Sequence, residues 1–89
     1  MSTLELHGHL GPLDALEIRR SLDQATAVTR PHVLVDMSDV DSMHPAVAAA
    51  IVRGSRRARR SAGTFRVIAP AKPGTDRMFH LASLPAILR

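Results

Sequence analysis

The sequence predicts a small α/β domain in which three to four strands form a mixed sheet with helices packed on it. Three observations support this class. Segments with strand periodicity alternate with segments of helical periodicity, in the order β-α-β-α-β-α. The connections are short, and Gly or Pro marks most boundaries. Alternation of this kind favours right-handed crossovers and a sheet that is at least partly parallel.

Size and composition limit the class of protein further. The 89 residues suit a single domain over 1–89, with an expected free energy of unfolding of about 5 kcal/mol or less. The lack of cysteine excludes disulfides and thiolate metal sites and fits a reducing cytoplasm. No apolar run approaches the roughly 18 residues of a membrane span, and the first residues lack the pattern of a secretory signal.

The first strand and helix are predicted from their apolar spacing. Alternate leucines give the strand one buried face, and Gly11-Pro12 ends it. From Asp14, apolar residues recur at helical spacing over three to four turns, until Thr29-Arg30-Pro31 ends the helix. The apolar residues of the strand are Leu4, Leu6 and Leu10, which alternate with Glu5, His7 and His9; those of the helix are Ala15, Ile18, Leu22 and Ala25.

The remaining elements follow at short intervals. His32–Asp36 is a continuous apolar run, typical of a central strand covered on both faces. A second helix is predicted from Pro45 to about Ser61, with Ala62-Gly63 ending it. A third strand lies within residues 64–69, and a third helix is predicted from about Thr75, a good N-cap, through residue 81.

The run VLVDMSDVDSMH, residues 33–44, is the most informative segment of the chain. Its strand ends in Asp36, a tight connection is predicted to follow, and Asp41-Ser42 stand immediately before the second helix. In α/β proteins, a polar turn between the end of a buried strand and a helix N-terminus commonly faces an anion or a partner. The sequence therefore predicts a binding site at this turn.

This run resembles the STAS domain, the fold of bacterial anti-sigma factor antagonists. The family pattern is an apolar strand, Asp-Leu-Ser, a short apolar spacer, and then Asp-Ser-Ser/Thr-Gly opening a helix. Asp36-Met37-Ser38 and Asp41-Ser42 match it, whereas Met43-His44 replace the last two positions. Similar spacing continues along the chain at Leu6-His7-Gly8-His9-Leu10, at Ile18 and Leu22, and in the segments 57–63, 67–70 and 78–84.

The resemblance implies a bacterial cytoplasmic domain that regulates transcription by protein–protein interaction and not by catalysis, with no cofactor and no metal. The implied partner is an anti-sigma factor of the ATPase or kinase type. It would bind through Asp36 and Ser38, the turn formed by Asp41, Ser42, Met43 and His44, and the start of the second helix. Family members usually have an earlier strand and a longer C-terminal part, so we expect a minimal domain with an open sheet edge.

Phosphorylation control is expected to be lost or moved. In antagonists of the family, the hydroxyl residue after Asp-Ser is phosphorylated by an anti-sigma kinase, which breaks the partner complex. Met43 stands there and has no hydroxyl. Ser42 is then either a displaced acceptor or, together with Asp41, a helix cap, and we favour the cap. Asp36 either contacts a partner or orders the turn, and Met43 is either exposed or in the core.

Two other functions are compatible with the sequence. One is a STAS subunit that regulates a lipid or anion transporter, as similar domains do. The other is nucleic-acid binding by the second helix, but stacking aromatics and a base-reading motif are absent, so we favour a solvated face. The arginines of this face are Arg53, Arg56, Arg57 and Arg60. His7 and His9 share a strand face without completing a metal site, and Leu13 and Leu16 are expected to be exposed.

Overall fold

A computed structural model describes residues 1–70 and the backbone of residues 86–87. The elements are β1 (Ser2–Leu10), α1 (Pro12–Ala25), β2 (His32–Met43), α2 (Pro45–Arg60), β3 (Thr64–Ile68) and β4 (Ala86–Ile87). The predicted α/β class and the β-α-β-α-β order of the first 70 residues are confirmed. The helix predicted from Thr75 lies outside the described residues. Neither described helix has the length and hydropathy needed to cross a bilayer.

The four described strands form one sheet in the order β1-β2-β3-β4, and every described pair is parallel. The described strands are therefore all parallel and not mixed as expected, because each described crossover carries the chain through a helix back to the same end of the sheet. Both crossovers step in one direction across the sheet, so right-handedness puts α1 and α2 on the same face. They pack against each other there.

This one-sided arrangement explains the burial along β2. Val33 and Val35 lie on the sheet face that the helices cover and are almost fully buried. Leu34 lies on the opposite face and is only half-buried. Coverage of β2 on both faces, as its apolar run suggested, is therefore not seen within the described residues. The buried core is otherwise aliphatic, as expected, with Phe65 the one aromatic in its described part.

β2 is longer than predicted, because two β-bulges continue it through the segment that was expected to be a turn. Its pairing with β1 shifts register between Glu5 and His7 and again between Gly8 and His9. Each bulge sets an extra residue against one partner and turns the following side chains over. Met37 and Val40 are both buried as a result, although they are three residues apart.

α1 begins two residues earlier than predicted. Pro12 occupies its first position, where the missing N–H costs nothing, and Oδ2 of Asp14 accepts a 2.7 Å hydrogen bond from the Gly11 N–H. At the other end, the helix stops at Ala25, and both the N–H and the hydroxyl of Thr26 donate to the carbonyl of Leu22, at 2.9 and 2.7 Å. The predicted buried face is confirmed at Ala15, Ile18 and Leu22, which are buried, and Ala25 is half-buried.

α2 is capped by His44 and not by Asp41 or Ser42. Its Nδ1 accepts a 3.1 Å hydrogen bond from the backbone N–H of Ala46. The predicted cap was wrong because β2 continues to Met43, which leaves His44 as the residue with extended backbone before the helix. A neutral imidazole can accept this bond, but His is a less common cap than Asp.

The other end of α2 closes in a Schellman motif. The N–H of Gly63 donates to the carbonyl of Ala58 at 2.8 Å, and that of Ala62 to Arg59 at 3.1 Å. Ala62 takes the left-handed conformation, with φ of 57°, where glycine is usual. Gly63 is needed for a different reason: a Cβ there would lie 2.0 Å from the carbonyl oxygen of Pro31.

These two neighbouring residues make a matched pair of tests. Replacing Ala62→Gly removes the left-handed strain, so we expect the free energy of unfolding to rise by about 1 kcal/mol. Replacing Gly63→Ala forces the backbones apart, so we expect a loss of about 2 kcal/mol or more. Thermal and urea unfolding followed by circular dichroism measure both. Equal effects of the two substitutions would contradict the assigned helix end.

The cap at His44 predicts a second stabilising change. Asp at this position accepts the same hydrogen bond and adds a negative charge at the positive end of the helix dipole. We expect His44→Asp to raise the free energy of unfolding by about 1 kcal/mol, which is a melting-temperature increase of about 4–8 °C for a chain of this size. His44→Ala, which removes the acceptor, should lower it. A neutral result for both would show that residue 44 does not cap the helix.

Candidate functional site

The six predicted site residues do not form one compact turn. Asp36 through Met43 lie in β2, and His44 joins it to α2. Asp36 pairs with Glu5 and Met43 with Leu10, so at the usual rise over five residues of β1 the two are about 17 Å apart. The site is therefore an extended rim, formed by residues 36–44 and the part of β1 that pairs with them; we call it the β2 rim.

At its first end, Asp36 orders the local backbone. Its Oδ1 accepts hydrogen bonds from the N–H of Ser38 at 3.0 Å and from the Ser38 hydroxyl at 2.7 Å. Both side chains are half-buried. An aspartate that binds its own backbone two residues on forms an Asx turn. Two roles were considered for Asp36, and these bonds show it ordering the local chain, at the first bulge of β2.

The middle of the rim is held by cross-strand pairs with β1. Nδ1 of His9 lies 2.7 Å from Oγ of Ser42, within hydrogen-bond distance. Nδ1 of His7 lies 3.4 Å from Oδ2 of Asp39, with 63% and 74% of the two side chains exposed. Because both groups are so exposed, the second pair contributes little to stability.

Sequence reasoning missed these pairs. His7 and His9 were expected to be exposed on one strand face without completing a metal site, and Asp39 was not singled out. Parallel strands separated by a helix give no local signal of register, and the two bulges shift that register twice. Within residues 1–70, no group of three or more His, Asp or Glu side chains is placed to hold a metal ion.

The last part of the rim leads into α2. Asp41 lies at the second bulge and is half-buried, while Ser42 is exposed. Met43 is half-buried and packs against the core, so the structure gives it a mostly internal role. His44 is exposed at the helix cap.

Because α2 begins at Pro45, the residues at the helix opening are not the ones that match the family pattern by residue type. The pattern places Asp-Ser-Ser/Thr where the helix opens, and the residues that open α2 are His44, Pro45 and Ala46. Asp41-Ser42-Met43 match it in letters but lie in the strand. None of the three residues at the opening has a hydroxyl, so Met43 is not the only position to depart from the pattern.

The arginine face of α2 is largely exposed to solvent, as expected from the sequence. The apolar arc, which includes Val47, Ile51 and Ala58, is buried against the sheet and α1. Arg53, Arg56 and Arg60 are exposed and Arg57 is half-buried. Leu13 and Leu16 on α1 are exposed, as expected, at 78% and 55%.

Comparison with known proteins agrees with this fold. A solved structure of the anti-sigma factor antagonist SpoIIAA in its unphosphorylated form matches with a TM-score of 0.76 at 16% identity. The match covers 99% of this chain and 78% of the SpoIIAA chain. No curated protein matches the sequence significantly. The model of the family described as "Mlab, STAS domain" matches residues 1–89, and the chain therefore belongs to the STAS domain family.

Proposed function

We propose that this STAS domain binds a regulatory protein of the anti-sigma factor kind through the β2 rim and the opening of α2. Membership of the family supports a regulatory, protein-binding role over a catalytic one. The observation that carries the proposal is the rim itself: polar side chains along the bulged end of β2 lead directly into a helix N-terminus. Bulges of this kind re-aim side chains next to functional sites.

The contacts within the rim support its use as a binding surface. The Asp36–Ser38 turn and the His9–Ser42 pair hold exposed or half-buried polar groups in fixed positions. A partner that docks on groups already ordered loses less side-chain entropy on binding. The exposed Asp39 adds negative charge to the same strand. The rim therefore suits a partner with basic or hydrogen-bonding groups.

Under this proposal, the complex is not switched by phosphorylation at the helix opening. His44, Pro45 and Ala46 have no hydroxyl to accept a phosphate. Ser42, the nearest hydroxyl, lies within a paired strand and contacts His9. Regulation by phosphate is thus lost at the usual position, and its displacement to Ser42 would require that hydroxyl to leave its contact with His9.

The lack of a hydroxyl acceptor at the helix opening favours a second candidate, a STAS subunit that regulates a lipid or anion transporter. A permanent subunit of an assembly needs no phosphate to release it. The partner surface would be the same β2 rim, but the bound protein would be part of a membrane complex. Affinity purification after detergent extraction of membranes, followed by mass spectrometry, separates the candidates by the class of protein recovered.

A pair of matched double substitutions tests the rim. Asp39→Arg with Ser42→Arg changes charge and size on the exposed rim, and we expect at least a tenfold loss of partner affinity, about 1.4 kcal/mol. Glu17→Arg with Ser21→Arg makes the same changes at exposed positions of α1 and should leave affinity unchanged. Titration of the purified partner measures both. Equal affinity of both variants and the unmodified chain would overturn the proposed surface.

The loss of the phosphate switch has its own test. The purified protein is incubated with ATP and the cognate kinase and then weighed by intact mass spectrometry. We expect no added phosphate, because the helix opening offers no hydroxyl acceptor. A phosphate that appears on the unmodified chain and disappears in Ser42→Ala would show instead that the acceptor has moved to Ser42.

A further inference from the structure

Two adjoining depressions lie on the helical side of the molecule, away from the β2 rim residues 36–42. The first, about 310 Å³, lies between α1 and α2, and its lining includes the apolar side chains of Leu16, Ala46 and Ala49. The second, about 290 Å³, is lined by Arg53, Arg56, Arg57 and Arg60. Arg53 lines both, so the two depressions adjoin at this residue, and we call them together the α1–α2 groove.

The basic half of the groove carries an excess of positive charge. Asp23 is its acidic contact: Oδ1 lies 3.1 Å from Nη1 of Arg57 and 3.5 Å from Nε of Arg53. Four arginines with one carboxylate leave three positive charges, and within residues 1–70 Arg56 and Arg60 form no ion pair. Clustered like charges favour association with an acidic ligand.

Asp23 also fixes the shape of this half. It holds the guanidinium groups of Arg53 and Arg57 against α1, and these side chains are 43% and 35% exposed. Arg56 and Arg60 are left to reach a ligand, one helical turn apart on the same side of α2. Carboxylates at a similar spacing on a partner helix would meet both.

The other half of the groove is mainly apolar, although Arg19 and Arg53 also line it. Leu16 has 55% of its surface exposed, and the small side chains of Ala46 and Ala49 let a partner approach the α2 backbone closely. From Ala46 to Arg60, α2 runs for about 21 Å, which equals the length of a helix of about 14 residues. This length covers both halves of the groove together, and a groove with an apolar part can receive the apolar face of an amphipathic helix.

We propose that the α1–α2 groove binds an acidic amphipathic helix of a partner protein. Apolar side chains of that helix pack on Leu16 and Ala49, and its carboxylates pair with Arg56 and Arg60. This inference rests on the proposed role in protein binding and adds a second contact surface and its chemistry. Nucleic acid fits less well, because Phe65, the aromatic residue in the described part, is buried and half of the groove is mainly apolar.

The test selects ligands from a displayed library of random 16-residue peptides with the full chain as bait. We expect enrichment of acidic sequences with apolar residues at helical spacing, and the best peptide is then synthesised. Arg56→Glu with Arg60→Glu should weaken its Kd at least tenfold. Arg30→Glu with Arg66→Glu makes the same charge change at exposed positions that do not line the groove and should weaken it much less. Leu16→Glu should also weaken it.

Folding is controlled within the same experiment. Arg56 and Arg60 are exposed, so we expect unchanged circular dichroism and melting temperature in the variants. Arg56→Gln with Arg60→Gln removes the charges without reversing them and should give a smaller loss of affinity in the same direction. Enriched peptides that are neutral or basic, or that bind the glutamate variant as tightly, would overturn the inference. So would a library that yields no binder.

Further measurements distinguish a peptide from competing ligands, and separate failure of this inference from failure of the proposed function. The chain is also titrated with duplex DNA and with vesicles of phosphatidylglycerol. If either binds the groove arginines more tightly than any peptide does, the inference is overturned in favour of that ligand. A natural partner whose affinity falls with Asp39→Arg and Ser42→Arg, but not with Arg56→Glu and Arg60→Glu, would overturn the inference and leave the proposed function standing. Sensitivity to the arginine changes alone would support the inference and reject the β2 rim.

Discussion

The close contact at Gly54 sets the position of α2, and much of the surface depends on that position. A Cβ on this residue would lie 3.0 Å from Cδ1 of Leu22 and 3.2 Å from Cε2 of Phe65. The missing side chain thus brings α2 against α1 and β3 at one point. Because the helix is rigid, this contact also fixes where its N-terminus meets β2 and which way its arginines face.

The one-sided sheet divides the described surface into regions with different chemistry. Two helices cover one face, and their outer surfaces carry the exposed leucines and arginines. Beyond the end of β3, β2 continues beside β1 with a series of polar groups. A small domain can therefore offer an apolar and basic groove and a polar rim without sharing residues between them, apart from those near the opening of α2.

The α/β class and most element positions follow from apolar spacing alone. Ile18 and Leu22 of α1, and Val47 and Ile51 of α2, are buried as the helical period requires. What the sequence did not reveal was the second half of β2. Strand prediction depends on alternation with a period of two, and the bulges break that period where the acidic and serine residues cluster. The segment then has the composition of a turn.

The failure to predict the bulged half of β2 also explains which parts of the candidate site were predicted. The rim residues were identified, but the His9–Ser42 pair and the capping role of His44 depend on strand register and on where β2 ends. Both are set by tertiary structure. Capping preferences pointed to Asp41 and Ser42, because aspartate and serine are common caps and histidine is not. The continued pairing of β2 with β1 overrode that local preference.

The bulges in β2 also separate chain length from distance along the sheet. Eight residues of β2, from Asp36 to Met43, lie beside six residues of β1, from Glu5 to Leu10. Both ends of the segment stay paired, so the pairing with β1, and not the residue count, sets the distance between Asp36 and the start of α2. The two extra residues let this stretch of β2 carry more side chains than a regular strand of the same length.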